Sequence, residues 1–176
     1  MLTEQGEHMS DFEIRQAQAR DIDNLCVLIL EHGPNPWNHL PEAEVIAHLQ
    51  AIADGSVQAV LVERKGELLG FVSYCLTRHF ARYQPEVRRD HLQGYICEAV
   101  THRAMAGQGL GSRLLQQAVI QLGEQGVSDS YIDRHEENAA SAGMMRKAGF
   151  SELHTYADPE RRPNGSRRTT VCRRLG

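Results

Sequence analysis

Residues 94–125 read GYICEAVTHRAMAGQGLGSRLLQQAVIQLGEQ, and this stretch decides the fold. Its first part, residues 95–101, is apolar and rich in β-prone side chains, which predicts a strand. Its last part predicts an amphipathic helix, because the apolar residues recur at spacings that keep them on one face. These apolar residues are Leu110, Leu114, Leu115, Ala118 and Leu122.

Three alternating glycines, Gly107, Gly109 and Gly111, connect the predicted strand to the predicted helix. Glycine lets an anion approach the backbone without interference from a Cβ atom. The first N–H groups of a helix lack partners within the helix and lie at its positive end, so this segment predicts a phosphate site. A tight turn without a ligand is the alternative. A dinucleotide-binding fingerprint would need a glycine where Ser112 stands, and a Walker loop would need a Gly-Lys-Ser/Thr sequence.

Length and composition are those of one globular domain. The chain has 176 residues, 41% of them hydrophobic and 24% charged, which suits a soluble protein with a sizeable core. We expect residues 1–10 to form a flexible tail without a signal-peptide pattern, and residues 11–176 to form the domain. No apolar run approaches the roughly 18 residues of a membrane span. We therefore expect a cytoplasmic protein that does not associate with membranes.

The charge is unevenly distributed along the chain. A net charge of −4 argues against general nucleic-acid binding. Six arginines follow Glu160 without any further acid, namely Arg161, Arg162, Arg167, Arg168, Arg173 and Arg174. This segment is either a solvated basic edge or a source of side chains that hold the phosphates of a ligand, while the acidic remainder would attract a cationic amine.

Metal chemistry is not predicted. The four cysteines, Cys26, Cys75, Cys97 and Cys172, lie far apart in apolar runs, which indicates reduced core thiols. The nine histidines form no H-E-x-x-H pattern. We therefore assign no metal.

The order of the predicted elements is that of a mixed α/β protein. We predict strands at 11–17, 57–63, 67–77, 95–101, 127–134, 150–156 and 166–174. The first helix is predicted to begin at residues 19–21 and to end at Gly33. Three further helices are predicted over about 41–53, directly after the three glycines, and over 139–148. We expect Asp21 to cap the first helix, Leu30 and Ile46 to be buried, and Gly149 to end the last helix in a left-handed conformation.

Two loops are expected to shape the functional site. The segment 33–40 contains Trp37, which is either an apolar plug between helices or part of a pocket wall. The polar segment 78–92 is expected to be a mobile surface loop that faces the substrate.

Three motifs in this order resemble the GNAT acetyltransferases, over roughly residues 11–174. The family pattern Arg/Gln-x-x-Gly-x-Gly/Ala matches at Gly109 and Gly111, while Ala106 replaces the first side chain. The second family pattern is Asn-x-x-Ala-x-x-x-Tyr-x-x-x-Gly-Phe. It matches here at Asn138, Gly149 and Phe150, with Ser141 for Ala and Met145 for Tyr, and the usual Gly-Phe of the hairpin is Gly70-Phe71.

The resemblance implies a fold and a coenzyme. The implied fold is a single-domain α/β acyl-CoA N-acyltransferase fold, with a mixed sheet of about seven strands and four helices, and the implied co-substrate is acetyl-CoA. The residues that would align the pantetheine arm or bind the pyrophosphate are Ala99, Val100, Thr101, Ala106, Gly107, Gln108, Gly109, Leu110, Gly111, Ser112, Asn138 and Ser141. Homodimers are common in the family, and no residue pattern here decides the oligomeric state.

The segment Tyr95-Ile96-Cys97-Glu98 resembles the strand that carries an acidic base in several family members. Apolar neighbours would desolvate Glu98 and raise its pKa, which suits a general base; an inert pairing with an arginine is the alternative. The family tyrosine that often protonates the leaving sulfur is Met145 here. Tyr95, Tyr131 or Ser141 would replace it, or the thiolate would leave unassisted. We interpret His102 as a surface residue.

The resulting hypothesis is an N-acetyltransferase. It would transfer an acetyl group from acetyl-CoA to a primary amine of a small molecule or peptide, by direct attack with deprotonation by Glu98. The alternative is an acyl-CoA-binding module or sensor of the same fold without turnover, and a weaker third possibility is nucleotide binding at the same glycines. The acceptor would be selected by the loops 33–40 and 78–92.

Overall fold

The computed structural model of the chain describes residues 11–176, and the tail expected at residues 1–10 lies outside the described residues. The seven strands are β1 (Phe12–Gln16), β2 (Gln58–Arg64), β3 (Glu67–Thr77), β4 (Gln93–Thr101), β5 (Ser130–His135), β6 (Ser151–Ala157) and β7 (Arg168–Arg174). The four α-helices are α1 (Ile22–His32), α2 (Glu42–Asp54), α3 (Leu110–Glu124) and α4 (Ala139–Lys147). The mixed α/β architecture, with seven strands and four helices, is therefore confirmed.

All seven strands form one sheet in the order β1-β2-β3-β4-β5-β7-β6. Every neighbouring pair is antiparallel except β4 and β5, which are parallel. A parallel pair needs a crossover connection, and α3 provides it. The centre of the sheet is thus the one place where two neighbouring strands point their carboxyl ends in the same direction.

The helices cover both faces of the sheet. On one face α3 packs against inward residues of β2 and β3, with Leu114, Leu115 and Leu122 fully buried. On the other face α1 and α2 pack against the alternate residues of the same strands, such as Leu61 and Phe71. Because both faces are covered, the central strands read as continuous apolar runs.

Two details of the helix faces differ from expectation. Leu30 and Ile46 are 44% and 45% exposed, and Leu28 is buried in place of Leu30. Leu30 lies about 100° around the helix from Ile29, on the side away from the buried Leu28. The buried face of α1 is therefore shifted toward Leu28.

Asp21 occupies the N-cap position of α1, but the prediction that its side chain caps the helix is wrong. The Asp21 carboxylate makes no capping bond to α1. It accepts hydrogen bonds from both Nη atoms of Arg15 at 2.8 and 2.9 Å and from the Gln18 amide at 2.7 Å. An ion pair with β1 therefore takes the oxygens that would otherwise cap the helix.

The left-handed ending of α4 at Gly149 is present. Gly149 has φ 90°, its amide donates to the Arg146 carbonyl at 3.0 Å, and the Phe150 amide donates to the Met145 carbonyl at 3.0 Å. These two bonds satisfy carbonyls that the end of the helix would otherwise leave unpaired. They also direct the chain into β6.

The polar segment 78–92 packs against the protein body through buried hydrogen bonds. It contains two short 3-10 turns, Ala81–Tyr83 and Glu86–Arg88. Gln84 is 5% exposed, accepts a hydrogen bond from the Tyr131 hydroxyl at 2.6 Å and donates to Asp129 at 3.0 Å. The polar composition of the segment thus supplies internal partners as well as a surface. In the described part of the chain, none of the helices has the length and hydropathy of a membrane-spanning segment.

Truncating Leu114 to alanine should lower the free energy of unfolding by about 3 kcal/mol, because the side chain is fully buried between α3 and the sheet. Urea denaturation measures this loss. Ile120→Ala on the same helix is the control: Ile120 is 53% exposed, so its loss should stay below about 1 kcal/mol. Equal losses in the two variants would contradict the packing described here.

Candidate active site

The site begins with a bulge in β4. Ser73 of β3 lies opposite Glu98 and Tyr74 lies opposite Ile96, so Cys97 is an extra residue on β4. A bulge bends its strand and increases the local twist. β4 and β5 pair only from Gly94 opposite Ser130 to Ile96 opposite Ile132, so the two strands diverge immediately after the bulge.

Two adjoining cavities occupy the gap between the diverging strands. One, of about 400 Å³, surrounds Glu98 and is called the Glu98 cavity below. The other, of about 420 Å³, lies between the end of β4, the glycine segment and the start of α4, and is called the glycine-loop cavity. Asn38, Ala99, Ser141 and Met144 line both, so a ligand long enough would extend from one cavity into the other.

The three glycines of the glycine-loop cavity have two different reasons to be glycine. Gly107 and Gly109 have φ of 78° and 77° and have open space where a Cβ would stand. L-residues rarely adopt this left-handed conformation. Gly111 instead permits a close helix contact, because a Cβ there would lie 2.5 Å from the Met144 sulfur.

The amide groups at the start of α3 are available to a ligand. The first backbone hydrogen bond of the helix joins the Arg113 amide to the Gly109 carbonyl at 3.1 Å, and the amides of Leu110, Gly111 and Ser112 have no acceptor among the described residues. These three residues line the cavity. Unpaired amides at the positive end of a helix favour an anion.

Gln108 differs from the other residues predicted to contact the coenzyme. Its amide already donates to the Met105 carbonyl at 3.3 Å, and it lines neither cavity. The remaining residues of that set line the glycine-loop cavity: Ala99, Val100, Thr101, Ala106, Gly107, Gly109, Leu110, Gly111, Ser112, Asn138 and Ser141.

Asn138 and Ser141 reach the glycine-loop cavity from the first turn of α4. Asn138 is 6% exposed, and its Oδ1 accepts a hydrogen bond from the Ser141 amide at 3.1 Å, which caps the helix. The cap orients the Asn138 side chain, and its Nδ2 has no acceptor among the described residues. Asn138 thus offers a fixed donor to a ligand, and the Ser141 side chain is exposed to both cavities.

Glu98 is a half-buried carboxylate at the bulge. Burial is the main cause that raises its pKa from an ordinary 4.5 to about 7; Arg162 opposes the increase and Asp133 adds to it. The Glu98 amide donates to the Ser73 hydroxyl at 3.1 Å, and that oxygen lies 2.7 Å from Nε2 of His48. The ion pair considered as an alternative role for Glu98 is not formed, because Arg161 and Arg162 contact Asp133 instead.

A second charged group in the Glu98 cavity was not predicted. Asp133 of β5 accepts hydrogen bonds from Arg161 at 2.9 Å and from Arg162 at 3.3 Å, and the Tyr95 hydroxyl lies 3.4 Å away. The arginines come from the segment between β6 and β7. The only signals in the sequence were an aspartate near the end of a predicted strand and the basic C-terminal segment, and these lie 28 residues apart.

Only one of the three hydroxyls considered as a proton donor is suitably placed. The Tyr131 side chain is fully buried, donates its hydroxyl hydrogen bond to Gln84, and lines neither cavity. The pKa of Tyr95 is raised, first by burial and then by Asp133, so it is a poor acid. Ser141 lines both cavities, whereas Met145, which is 3% exposed, lines the Glu98 cavity with a thioether that has no proton to donate.

Several residues considered for the site lie outside it. The Trp37 ring lies 4.7 Å from the His135 ring and lines neither cavity, and the His102 ring lies 3.9 Å from the His32 ring at an interplanar angle of 33°. No residue of 78–92 lines either cavity, so the expectation that this segment faces the substrate is not supported. None of the six C-terminal arginines lines the glycine-loop cavity.

Comparisons with known proteins agree on one family. The family model described as "Acetyltransferase (GNAT) family" matches residues 22–150. A ribosomal-protein-alanine N-acetyltransferase from Brucella melitensis has a similar structure, with a TM-score of 0.70, 20% identity, and coverage of 93% of this chain and 99% of that one. No curated protein matches the chain significantly.

Two further solved structures have the same fold. A ribosomal L7/L12 α-N-protein acetyltransferase in complex with coenzyme A has a TM-score of 0.71 and 17% identity, and 94% of each chain is covered. An acetyl transferase from Salmonella typhimurium, described as modifying the N-terminal serine of L7/L12, has a TM-score of 0.71 and 18% identity, with 95% and 96% covered.

Replacing Glu98 by glutamine should change stability in a pH-dependent way. Because the pKa of Glu98 is raised to about 7, the folded protein favours the neutral carboxyl, and the wild type loses this stabilisation as pH rises from about 4.5 through 7. Glutamine stays neutral. The variant should therefore gain unfolding free energy relative to wild type between pH 5 and pH 8, as measured by urea denaturation. The exposed Glu67→Gln is the control; a pH-independent difference for Glu98→Gln would refute the raised pKa.

Proposed function

Because the chain belongs to the acetyltransferase (GNAT) family, we propose that it transfers an acetyl group from acetyl-CoA to a primary amine of a small molecule or peptide. The observation that carries this proposal is the position of Glu98. A half-buried carboxylate with a pKa near 7 lines the charged cavity, one residue before Ala99, which lines both this cavity and the one with unpaired helix amides. Because structural relatives include acetyltransferases of ribosomal proteins, a peptide amine remains a candidate acceptor.

The glycine-loop cavity has the properties that a diphosphate requires. The amides of Leu110, Gly111 and Ser112 donate to its oxygens, and the open space at Gly107 and Gly109 lets these oxygens approach the backbone. The helix end contributes only a partial positive charge, and Lys147 adds a cationic side chain to the wall of the same cavity. Ala106 can therefore replace the family Arg/Gln side chain while the backbone donors of the phosphate site remain.

The divergence of β4 from β5 supplies the path for the pantetheine arm. Residues Ala99, Val100 and Thr101 lie beyond the last strand pair at Ile96 and line the cavity. Their backbone groups pair with the amides of the arm as a neighbouring strand would. Asn138 donates its Nδ2 to the same arm, so the bound thioester lies beside Glu98.

Glu98 prepares the acceptor for attack. At neutral pH an amine is mainly protonated, and the Glu98 carboxylate takes this proton directly or through one water molecule. A pKa near the working pH balances the fraction of base that is deprotonated against its proton affinity. The amine then attacks the thioester carbonyl, and the carbon–sulfur bond breaks with its electron pair going to sulfur. The thiolate that leaves takes up the second proton, which the nitrogen of the new amide releases.

Ser141 stabilises the leaving sulfur in this scheme. It lines both cavities, and Met145 has no proton to donate. A thiol is acidic enough for its anion to leave without full protonation. A hydrogen bond from Ser141 would therefore lower the barrier without being indispensable.

The alternative function, acyl-CoA binding without turnover, draws support from Met145. Its buried thioether occupies the position of the family tyrosine. Thiol release from acetyl-CoA, measured with a panel of amines, separates the two functions. Coenzyme binding without release from any acceptor would favour the binding module, and displacement of the coenzyme by ATP would favour a nucleotide site.

Glu98→Gln should lower kcat by about 10²- to 10⁴-fold, the usual contribution of general base catalysis, and leave the Kd of acetyl-CoA unchanged. The wild-type kcat/KM should rise with pH and level off above about 7, following the pKa of Glu98, and the variant should lack this inflection. Thiol release across pH measures both. A variant that keeps the wild-type rate and pH profile would remove Glu98 from the mechanism; Glu67→Gln serves as the matched control.

Gly109→Ala should weaken coenzyme binding about tenfold, because a side chain at φ 77° costs about 1–2 kcal/mol and the relaxed backbone would turn the amides away. Calorimetric titration with coenzyme A measures the loss. Gly123→Ala is the control on the same helix, where a Cβ meets no atom within 4 Å, and it should leave the affinity unchanged. Equal affinities in both variants and wild type would place the diphosphate elsewhere.

A further inference from the structure

We infer that the acceptor of this transfer is an amino acid, a small molecule with both a primary amine and a carboxylate, and that Arg162 and Arg161 bind the carboxylate. The inference rests on the proposed function, because it concerns the Glu98 cavity. It concerns the class of acceptor, which family membership leaves open.

The first observation is that Arg162 is largely buried and has one nitrogen without an acceptor among the described residues. Only 10% of its side chain is exposed. Its Nε donates to the Thr169 hydroxyl at 2.9 Å and its Nη2 donates to Asp133 at 3.3 Å, while Nη1 has no acceptor among the described residues. The side chain lines the Glu98 cavity. Burial lowers the pKa of Arg162, which indicates that the present partners do not fully offset its desolvation.

The second observation is the balance of charge on this wall. Asp133, 10% exposed, is the carboxylate of the cavity that contacts both Arg161 and Arg162. The further partner of Arg161, Asp158, lies 3.4 Å away and does not line the cavity. Glu160 lines the cavity without an ion pair to either arginine. Two guanidinium groups thus share one cavity carboxylate, and a planar guanidinium accommodates a second carboxylate well.

The third observation is the acidic side of the same cavity. Glu98 of β4 and Glu44 of α2 line it, and both also line a smaller cavity of about 220 Å³ toward α2 that contains no arginine. Glu44 and Glu98 therefore lie toward α2. The other wall combines Arg161, Arg162 and Arg134 with only two carboxylates, Asp133 and Glu160, and so carries a net positive charge. An ammonium group is attracted to the acidic side and a carboxylate to the basic side, so the charges fit a zwitterion.

The size of the cavity favours a small acceptor. About 400 Å³ lies near the lower end of the range for small-molecule sites. A free amino acid would present its amine to Glu98 and its carboxylate to Nη1 of Arg162. A peptide N-terminus lacks the adjacent carboxylate and would leave this guanidinium without the additional anion.

The test compares matched acceptors that differ only at the carboxylate. Each free α-amino acid, its amide and its decarboxylated amine are supplied with acetyl-CoA, and thiol release gives kcat/KM; ω-amino acids and dipeptides form two further arms. We expect at least one free amino acid to exceed its amide and amine by about tenfold or more, the usual worth of a hydrogen bond to a charged group. Thiol release with ω-amino acids alone would still support an acceptor with a carboxylate, but it would show that the amine and the carboxylate must be farther apart than in an α-amino acid.

Arg162→Gln should abolish this preference. The KM of the amino acid should rise about 10- to 100-fold, with the KM of acetyl-CoA unchanged. Arg167→Gln removes the same charge from an exposed residue of the same segment that lines neither cavity, and it should behave as wild type. Thermal unfolding of both variants separates a folding defect from lost recognition. A conservative Arg162→Lys should restore part of the preference.

The outcomes distinguish this inference from the proposed function. Equal or better turnover of amides, amines or peptide N-termini would overturn the amino-acid acceptor and leave the transferase intact. If no acceptor releases thiol, calorimetry with the coenzyme A complex decides, using N-acetyl amino acids and their amides as probes. Binding that requires the carboxylate and is lost in Arg162→Gln would support the inference although transfer fails; no carboxylate-dependent binding would overturn it.

Discussion

The divergence of β4 from β5 is the constraint on which the site depends. Parallel strands normally continue to pair along their length, but the extra residue Cys97 turns β4 away directly after Ile96. The backbone beyond this point lines the glycine-loop cavity, and Glu98 lines the adjoining cavity. A regular strand at this position would pair its backbone with β5 and close both cavities at once.

The energetics of Glu98 follow from the same bulge. Desolvation raises its pKa more than the two arginines lower it, since the arginines are engaged with Asp133 and not with Glu98 itself. Asp133 therefore has two effects, because it adds a like charge near Glu98 and keeps the cations from pairing with it. A direct ion pair would hold Glu98 ionised well below neutral pH and make it a weaker base.

The predictable parts of this structure are those that depend on residues close together in the sequence. The amphipathic spacing of α3, the glycines before it and the Gly149–Phe150 ending of α4 each follow from a few neighbouring residues. The bulge does not, because Cys97 continues an apolar run without any break. The Asp133–Arg161–Arg162 cluster also had no local signal, since β5 and the segment between β6 and β7 meet only in the folded sheet.

Polarity alone was a poor guide to the substrate-facing loops. Two polar residues of the segment 78–92, Gln84 and Arg88, satisfy the buried Asp129, so part of the polarity of this segment serves folding. The segment 33–40, by contrast, contributes Asn38 and Leu40 to the Glu98 cavity. A sequence reading that weighs only hydrophilicity cannot separate these cases, because both segments expose polar atoms in the unfolded chain and only tertiary contacts bury one set.

The two charged sides of the Glu98 cavity are coupled through electrostatics. Arg162 and Arg161 lower the pKa of Glu98 across the cavity. An anionic group bound to these arginines offsets their positive field, and displacement of water from the cavity adds to the desolvation of Glu98. Both effects raise the proton affinity of Glu98. The carboxylate of the proposed acceptor would thus strengthen the base at the moment when the neighbouring ammonium group must lose its proton.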